Sequence, residues 1–269
     1  MMQRVALGLS YDGGPWRGWQ SQPCGNTVQN KLELALKQFT AAPVATICAG
    51  RTDTGVHALS QVVHLDTPAQ RSTESWVRGL NALLPHSIAV QWAQVVPEDF
   101  HARFSARMRH YIYVVRCARV RSPLLHARVG WVFRPLELAP MQRAAQALLG
   151  EHDFSAFRAS ECQAASPVRT LHRLDIQQHG DYFVFHFSAN AFLHHMIRNL
   201  MGSLLYIGQG RQPVDWMGDI LAQADRRLAA PTFDAAGLYL ASVDYDPVFG
   251  LPDFSALELL EHLCGQKFV

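Results

Sequence analysis

The chain has 269 residues, 49% hydrophobic and 17% charged, which suits one large folded domain or two small ones and argues against a disordered polyelectrolyte. The formal net charge is only +2, yet lysine supplies just three of the 24 basic residues (Lys31, Lys37 and Lys267) and arginine the rest. Five cysteines, at 24, 48, 117, 162 and 264, include no Cys-x-x-Cys pair, which argues against a disulfide framework or a cysteine-rich zinc site.

Met1-Met2-Gln3-Arg4 leads directly into a strand-like run, so no secretory leader is expected and a cytoplasmic location fits. Arg4 to Ser10 reads as a strand, broken by Tyr11-Asp12-Gly13-Gly14-Pro15. Thr27 is placed to cap a helix running to Phe39. Its apolar face is Val28, Leu32, Ala35, Leu36 and Phe39, and Glu33 is spaced to pair with Lys37. Val44 to Ile47 and Ser60 to Leu65 read as strands. Thr73 is expected to cap a second helix that buries Trp76, Val77, Leu80, Leu83 and Leu84 and stops at Pro85. Ile88 to Val96 is a strand. The order is β-α-β-β-α-β, with two helices covering one sheet face and the other face left for a partner.

His110 to Arg119 reads as a strand, Pro140 as the start of a helix that Gly150 ends, and Leu171 to Gln177 with Tyr182 to Ser188 as a hairpin around His179-Gly180-Asp181. Helices are expected over Leu193 to Ile207 and Val214 to Gln223, and a last strand over Leu238 to Tyr245. Phe192 to Gly208 is apolar but carries His194, His195, Arg198 and Asn199, so it is a poor membrane span. The second half repeats the first in outline. Two related α+β lobes are expected, 1–105 and 106–269.

Two stretches carry chemistry. Gly50-Arg51-Thr52-Asp53-Thr54-Gly55-Val56-His57 sets a short acid beside an arginine between two glycines. Asp53 is a candidate nucleophile there, and the same residues also suit an Asp/Thr turn held by side-chain hydrogen bonds. From Phe100 to Leu136 there are eight arginines and no Asp or Glu. Arginine's planar fork suits phosphate, and the stretch also reads as a solvated basic surface. His57, His64, His194 and His195 lack the spacing of a zinc-protease site. Adjacent residues on a helix diverge, so His194 and His195 are not expected to ligate one metal, and no metal is called.

These segments together resemble the TruA-type tRNA pseudouridine synthases. The resemblance rests on Tyr11-Asp12-Gly13 with Gly18-Trp19-Gln20, on Cys48 to Ala58, on Asp99 to Ala106, on Asn190 to Asn199 and on Gly237-Leu238-Tyr239-Leu240, in that order. Thr54 stands where many members of that family have alanine or another small residue. The resemblance implies an α+β pseudouridine synthase fold, two ferredoxin-like or RRM-like lobes forming an extended, mixed, mainly antiparallel sheet flanked by helices. It implies isomerisation of uridine at positions 38, 39 and 40 of the tRNA anticodon arm, with no cofactor. Asp53 is then the catalytic aspartate, ionised whether it attacks base or sugar. Arg198 is the guanidinium that favours its charge, and Tyr111 the active-site tyrosine. Arg51 is expected to hold RNA or the flipped nucleotide, Leu238 to wall the base, and Arg103, Arg107, Arg109 and Arg121 to meet the RNA backbone. A homodimer is implied, with no membrane and no required protein partner. An RNA-binding protein without catalysis, and an RNA hydrolase using Asp53 as a base, are the competing readings.

Overall fold

A computed structural model describes residues 2–254, so Cys264 and Lys267 lie outside the described residues. The described chain forms two compact units. One comprises residues 2–109 with 239–254, the other residues 110–238. The first boundary falls four residues past the expected break at 105. The return of 239–254 to the first unit departs from the expected lobe of 106–269, because a parallel strand pairing leaves no local signal in the sequence.

In the first unit, β1 (Gln3–Tyr11) lies antiparallel between β4 (Ile88–Val96) and β3 (His57–Thr67). The outer edge of β3 is divided. β2 (Ile47–Cys48) pairs antiparallel with His64 and Val63, while β10 (Leu238–Asp244) pairs parallel through Tyr239 with His57 and Leu240 with Ala58. The order β4-β1-β3-β2 is that of a ferredoxin-like lobe.

Helix α1 (Val28–Thr40) begins as its sequence demands, with the Thr27 side chain accepting from the Asn30 amide. Helix α2 (Thr73–Asn81) is capped one residue earlier than expected, by Ser72, and Leu83 beyond its end is exposed. The two helices meet where Phe39 packs 5.0 Å from Trp76. Gly79 permits this, since a Cβ there would lie 2.1 Å from the Phe39 ring. Glu33 turns to Thr46, accepting from its amide and hydroxyl at 2.9 Å each, and so fastens the approach to β2 instead of serving the expected pair with Lys37.

The second sheet face is not left open. Ala6, Val62, Trp92 and Val96 share it by strand alternation, and Phe100 and Ala102 pack there with Val243, Tyr245, Phe249, Leu251 and Phe254. The chain's own return segment thus covers the face expected for a partner.

In the second unit the strand order is β5 (Met108–Cys117, from His110), β9 (Tyr182–Ala189), β8 (Val168–His179) and β7 (Gly150–Asp153), with β6 (Gly130–Val132) parallel to β5. β8 and β9 form the expected hairpin, with His179 opposite Tyr182 and Gly180 at φ 57°. Helix α3 (Leu138–Gln146) ends before Gly150, which opens β7 at φ 99°. Helix α4 (Met196–Gly208) is almost entirely buried along its length, and α5 (Trp216–Gln223) follows. Among the described residues no helix is long and apolar enough to cross a membrane.

Candidate active site

The loop that carries Asp53 connects β2 to β3 and is held from behind. Thr52 is buried, its hydroxyl lies 2.8 Å from the Tyr11 hydroxyl, and its carbonyl accepts from the Trp19 amide at 2.9 Å. Gln61 donates to the Gly50 carbonyl at 2.6 Å. The loop closes as a turn in which the Val56 amide donates to the Asp53 carbonyl at 3.1 Å, with Gly55 at φ 80° in its third position. Thr54 occupies the exposed second position, which accepts most side chains.

Two glycines of the Tyr11–Gln20 segment make this closeness possible. A Cβ on Gly13 would lie 1.9 Å from the Val56 carbonyl oxygen, and one on Gly18, which has φ 78°, 2.8 Å from the Thr52 carbonyl oxygen. His57 completes the clamp. Its Nδ1 accepts from the Gly13 amide at 3.0 Å, and its buried ring stacks 4.6 Å from Tyr239. The glycines and aromatics of this segment are visible in the sequence, but the burial of Trp19 and its service to the Asp53 loop are not.

The arginines of the first unit divide into two kinds. Arg51 and Arg103 are exposed. Burial pushes the Cys48 thiol up to about 12, and the charges of Arg51 and Arg103 oppose that rise. Arg107 is exposed and ion-paired with Asp246. Arg109, expected at the RNA backbone, is instead buried, with 8% exposure, and donates to the carbonyls of Ala49, Ala106 and Arg103. Strand alternation turns it inward from β5, so its fork serves the protein's own backbone.

The second unit carries the remaining candidates. Tyr111 is buried on β5, edge-on to Phe192 at 5.1 Å. Arg198 lies in the first turn of α4. Its Nε donates to the Phe233 carbonyl at 3.0 Å and its carbonyl accepts from the Phe233 amide at 3.0 Å. The Phe233 ring packs 5.7 Å from Tyr113, whose hydroxyl donates to the Asp234 carbonyl. Gly237, at φ 90°, accepts from Val114 of β5, and a Cβ there would meet the Val114 oxygen at 2.3 Å. The segment 233–237 therefore fixes Arg198 and Leu238 to the strand of Tyr111. Leu238 itself is 4% exposed. Arg121 is exposed beyond β5.

Asn199, whose role the sequence does not reveal, is the hub beside Arg198. Its amide donates to the Phe157 carbonyl at 2.8 Å, and its oxygen accepts from Arg226 at 3.0 Å and Thr232 at 2.6 Å. His194 and His195 precede α4, with His195 at φ 61°. Their rings lie 4.1 Å apart, so the expected helical divergence does not hold.

The sequence pattern of the tRNA pseudouridine synthase family matches residues 10–105 and 144–246. The chain is 64% identical over 254 residues to a tRNA pseudouridine synthase A of Bordetella petrii, covering 94% of this chain and 95% of that one. It is 59% identical over 251 residues to one of Paraburkholderia xenovorans, covering 93% of each. It is 57% identical over 254 residues to one of Herminiimonas arsenicoxydans, covering 93% and 92%. With the two α+β units and the clamped Gly50–His57 loop in place, the chain belongs to the tRNA pseudouridine synthase family, the TruA type that its sequence resembles.

Proposed function

We propose that this protein isomerises uridine to pseudouridine at positions 38, 39 and 40 of the tRNA anticodon arm, with Asp53 as the catalytic carboxylate. The observation that carries the reading is the Asp53 loop, held by Tyr11, Trp19, Gln61 and His57 in a chain that matches the family over most of its length.

In the reaction the N1–C1′ bond of uridine breaks, the uracil turns, and a C5–C1′ bond forms. C5 loses its proton and N1 gains one, so atoms and electrons balance without redox chemistry. Asp53 acts as the nucleophile toward base or sugar and must be ionised on either route. Arg198 supplies the guanidinium that favours the charged carboxylate. Tyr111 stacks on the uracil and assists loss of the C5 proton. Leu238 walls the base, and Arg51 holds the flipped nucleotide. Arg103, Arg107 and Arg121 bind phosphate, which positions the RNA and leaves several neighbouring uridines within range of one site. The protein acts in the cytoplasm as a homodimer, one subunit placing the target base while its mate holds a distant part of the tRNA.

The test incubates purified protein with unmodified tRNA and maps pseudouridine at single-nucleotide resolution, beside Asp53→Asn. Product from wild type and none from the variant, with tRNA binding retained, is the expected result. Turnover by Asp53→Asn would sink the nucleophile assignment. Tyr111→Phe keeps the ring and removes the hydroxyl. Loss of turnover equal to that of Tyr111→Ala assigns the role to the hydroxyl.

A further inference from the structure

Phe104 is 75% exposed, and the loop that carries it is held by a series of hydrogen bonds. Residues 97–106 leave β4 and are fastened along most of their length. Arg4 donates to the carbonyls of Glu98 and Phe100, the latter at 2.9 Å. Phe100 is fully buried. The Ala102 amide donates to His64 Nδ1 at 3.1 Å, and the Ala102 carbonyl accepts from the Tyr245 hydroxyl at 2.6 Å. His101 Nδ1 accepts from the amides of both Arg103 and Phe104, at 3.2 and 3.1 Å. The Ser105 amide donates to the His101 carbonyl at 2.8 Å, and its hydroxyl accepts from the His101 amide at 2.9 Å. Arg109 closes the loop through the carbonyls of Arg103 and Ala106.

Here the backbone that carries the ring is fixed by those hydrogen bonds. One face of Phe104 leans on the His101 ring, 4.4 Å away at 30°, and the Arg103 guanidinium lies 5.4 Å from its centre. An aromatic ring backed by an imidazole and flanked by a guanidinium, in a stretch with no Asp or Glu from 100 to 136, is complementary to a nucleobase and its phosphate. The placement is local to the Asp53 loop, because the Arg109 guanidinium that holds the Arg103 carbonyl also holds that of Ala49, next to Gly50.

We propose that Phe104 is a base-stacking residue: it receives an unpaired base of the substrate RNA on its exposed face while Arg103 takes the adjoining phosphate. The role rests on the tRNA reading above and deepens it, adding a positioning contact outside the residues that hold the target uracil. A rigid ring loses little conformational freedom on binding, so the stack also offsets part of the cost of unstacking the target.

The test measures pseudouridine formation, tRNA binding and sedimentation mass for Phe104→Ala, Phe104→Leu and Phe104→Tyr. The expected result is a roughly tenfold loss of kcat/KM and of tRNA affinity in Phe104→Ala and Phe104→Leu, with Phe104→Tyr within about twofold of wild type. All three should keep the wild-type mass. Wild-type behaviour of Phe104→Ala overturns the proposal. So does full activity of Phe104→Leu, which would mean apolar contact without stacking, and so does a changed mass, which would assign the ring to a second copy of the chain. Binding is read apart from turnover: a wild type that binds tRNA without isomerising it fails the functional reading, while loss of that binding in Phe104→Ala still upholds the stack.

Discussion

Arg109 donates through Nη2 to the carbonyl oxygen of Ala49 at 3.0 Å, and with the same guanidinium it holds the carbonyls of Arg103 and Ala106. One side chain thus joins the start of the Asp53 loop to the Phe104 loop. Lysine has a single nitrogen and cannot span three carbonyls. Each buried carbonyl left unmade costs about 1–3 kcal/mol. Arg109→Lys and Arg109→Ala are therefore expected to lower stability by about 3 kcal/mol, read as a lower urea midpoint. The salt dependence of tRNA binding should stay at the wild-type slope, whereas a phosphate contact would remove about one unit from it. A changed slope with unchanged stability would return Arg109 to the RNA interface.

The glycines behind the Asp53 loop give a second expectation. Gly13→Ala would drive a Cβ to 1.9 Å from the Val56 oxygen, and Gly18→Ala adds strain at φ 78°. Backbone stands in the way at both positions, so the loop must move. A displacement of about 1 Å at reacting groups can cost about 100-fold in rate. The expected result is a kcat loss of that order in each variant with tRNA binding largely kept. Gly218→Ala is the control. It lies in α5, its nearest neighbour to a new Cβ is 3.9 Å away, and it should gain about 0.5–1 kcal/mol. Equal kcat losses in all three would refute the clamp.

Much of this was legible in the chain, and the failures have physical causes. Period and capping placed β1, α1, β4 and the β8–β9 hairpin closely, because those signals are local. Helix α4 starts three residues later than its sequence pattern, since nothing in the sequence marks His195 as left-handed at φ 61°. The covering of the second sheet face by Val243 to Phe254 is not legible in the sequence because it depends on a parallel pairing across about 180 residues. At the candidate site, Asp53 and its bracket of glycines stood out as residue types. Arg109 did not separate from Arg107, because composition records an arginine and not which way its strand turns it. Asn199 was invisible for the same reason: one amide looks like any other until its three partners are assembled around it.

Two buried histidines contribute to the acid response. Burial pushes His64 down to about 4, helped by the charges of Arg4 and His101 and opposed by Asp66. Burial likewise pushes His186 down to about 4, helped by Arg173 and His179 and opposed by Asp175. His64 Nδ1 accepts the Ala102 amide, a bond that only the unprotonated nitrogen makes. Near neutral pH both states of the chain carry these rings uncharged, so they add no pH dependence there. As pH falls below about 6.5 the unfolded chain binds protons that the folded chain refuses, and folded stability falls until pH reaches about 4, where the folded rings titrate. Both histidines contribute to the decline over that window. Urea midpoints measured between pH 7 and 4 should decline, and His64→Gln, which cannot titrate, should flatten part of the decline. An unchanged slope in that variant would remove His64 from the account.

Asn199 and Arg198 are neighbours on α4 with complementary tasks. Arg198 exchanges two hydrogen bonds with Phe233, and Asn199 reaches Phe157, Thr232 and Arg226. Asn199 is 1% exposed, so water cannot replace it. Removing its side chain strands the Phe157 carbonyl and takes a neutral acceptor from a guanidinium whose other bonds run to the carbonyls of Ala229 and Ala230 and to the Thr232 hydroxyl. Asn199→Ala should cost about 2–4 kcal/mol, from two or more unmade buried bonds. Asn199→Asp keeps the acceptor for Arg226 and Thr232 but loses the donor to Phe157, so it should fall between wild type and Asn199→Ala. Because 226–233 is the segment that also positions Arg198, kcat should follow the same ranking while Arg121-dependent tRNA binding is unchanged. Stability ranked in that order with kcat at the wild-type level in both variants would show that Arg198 holds its place without Asn199.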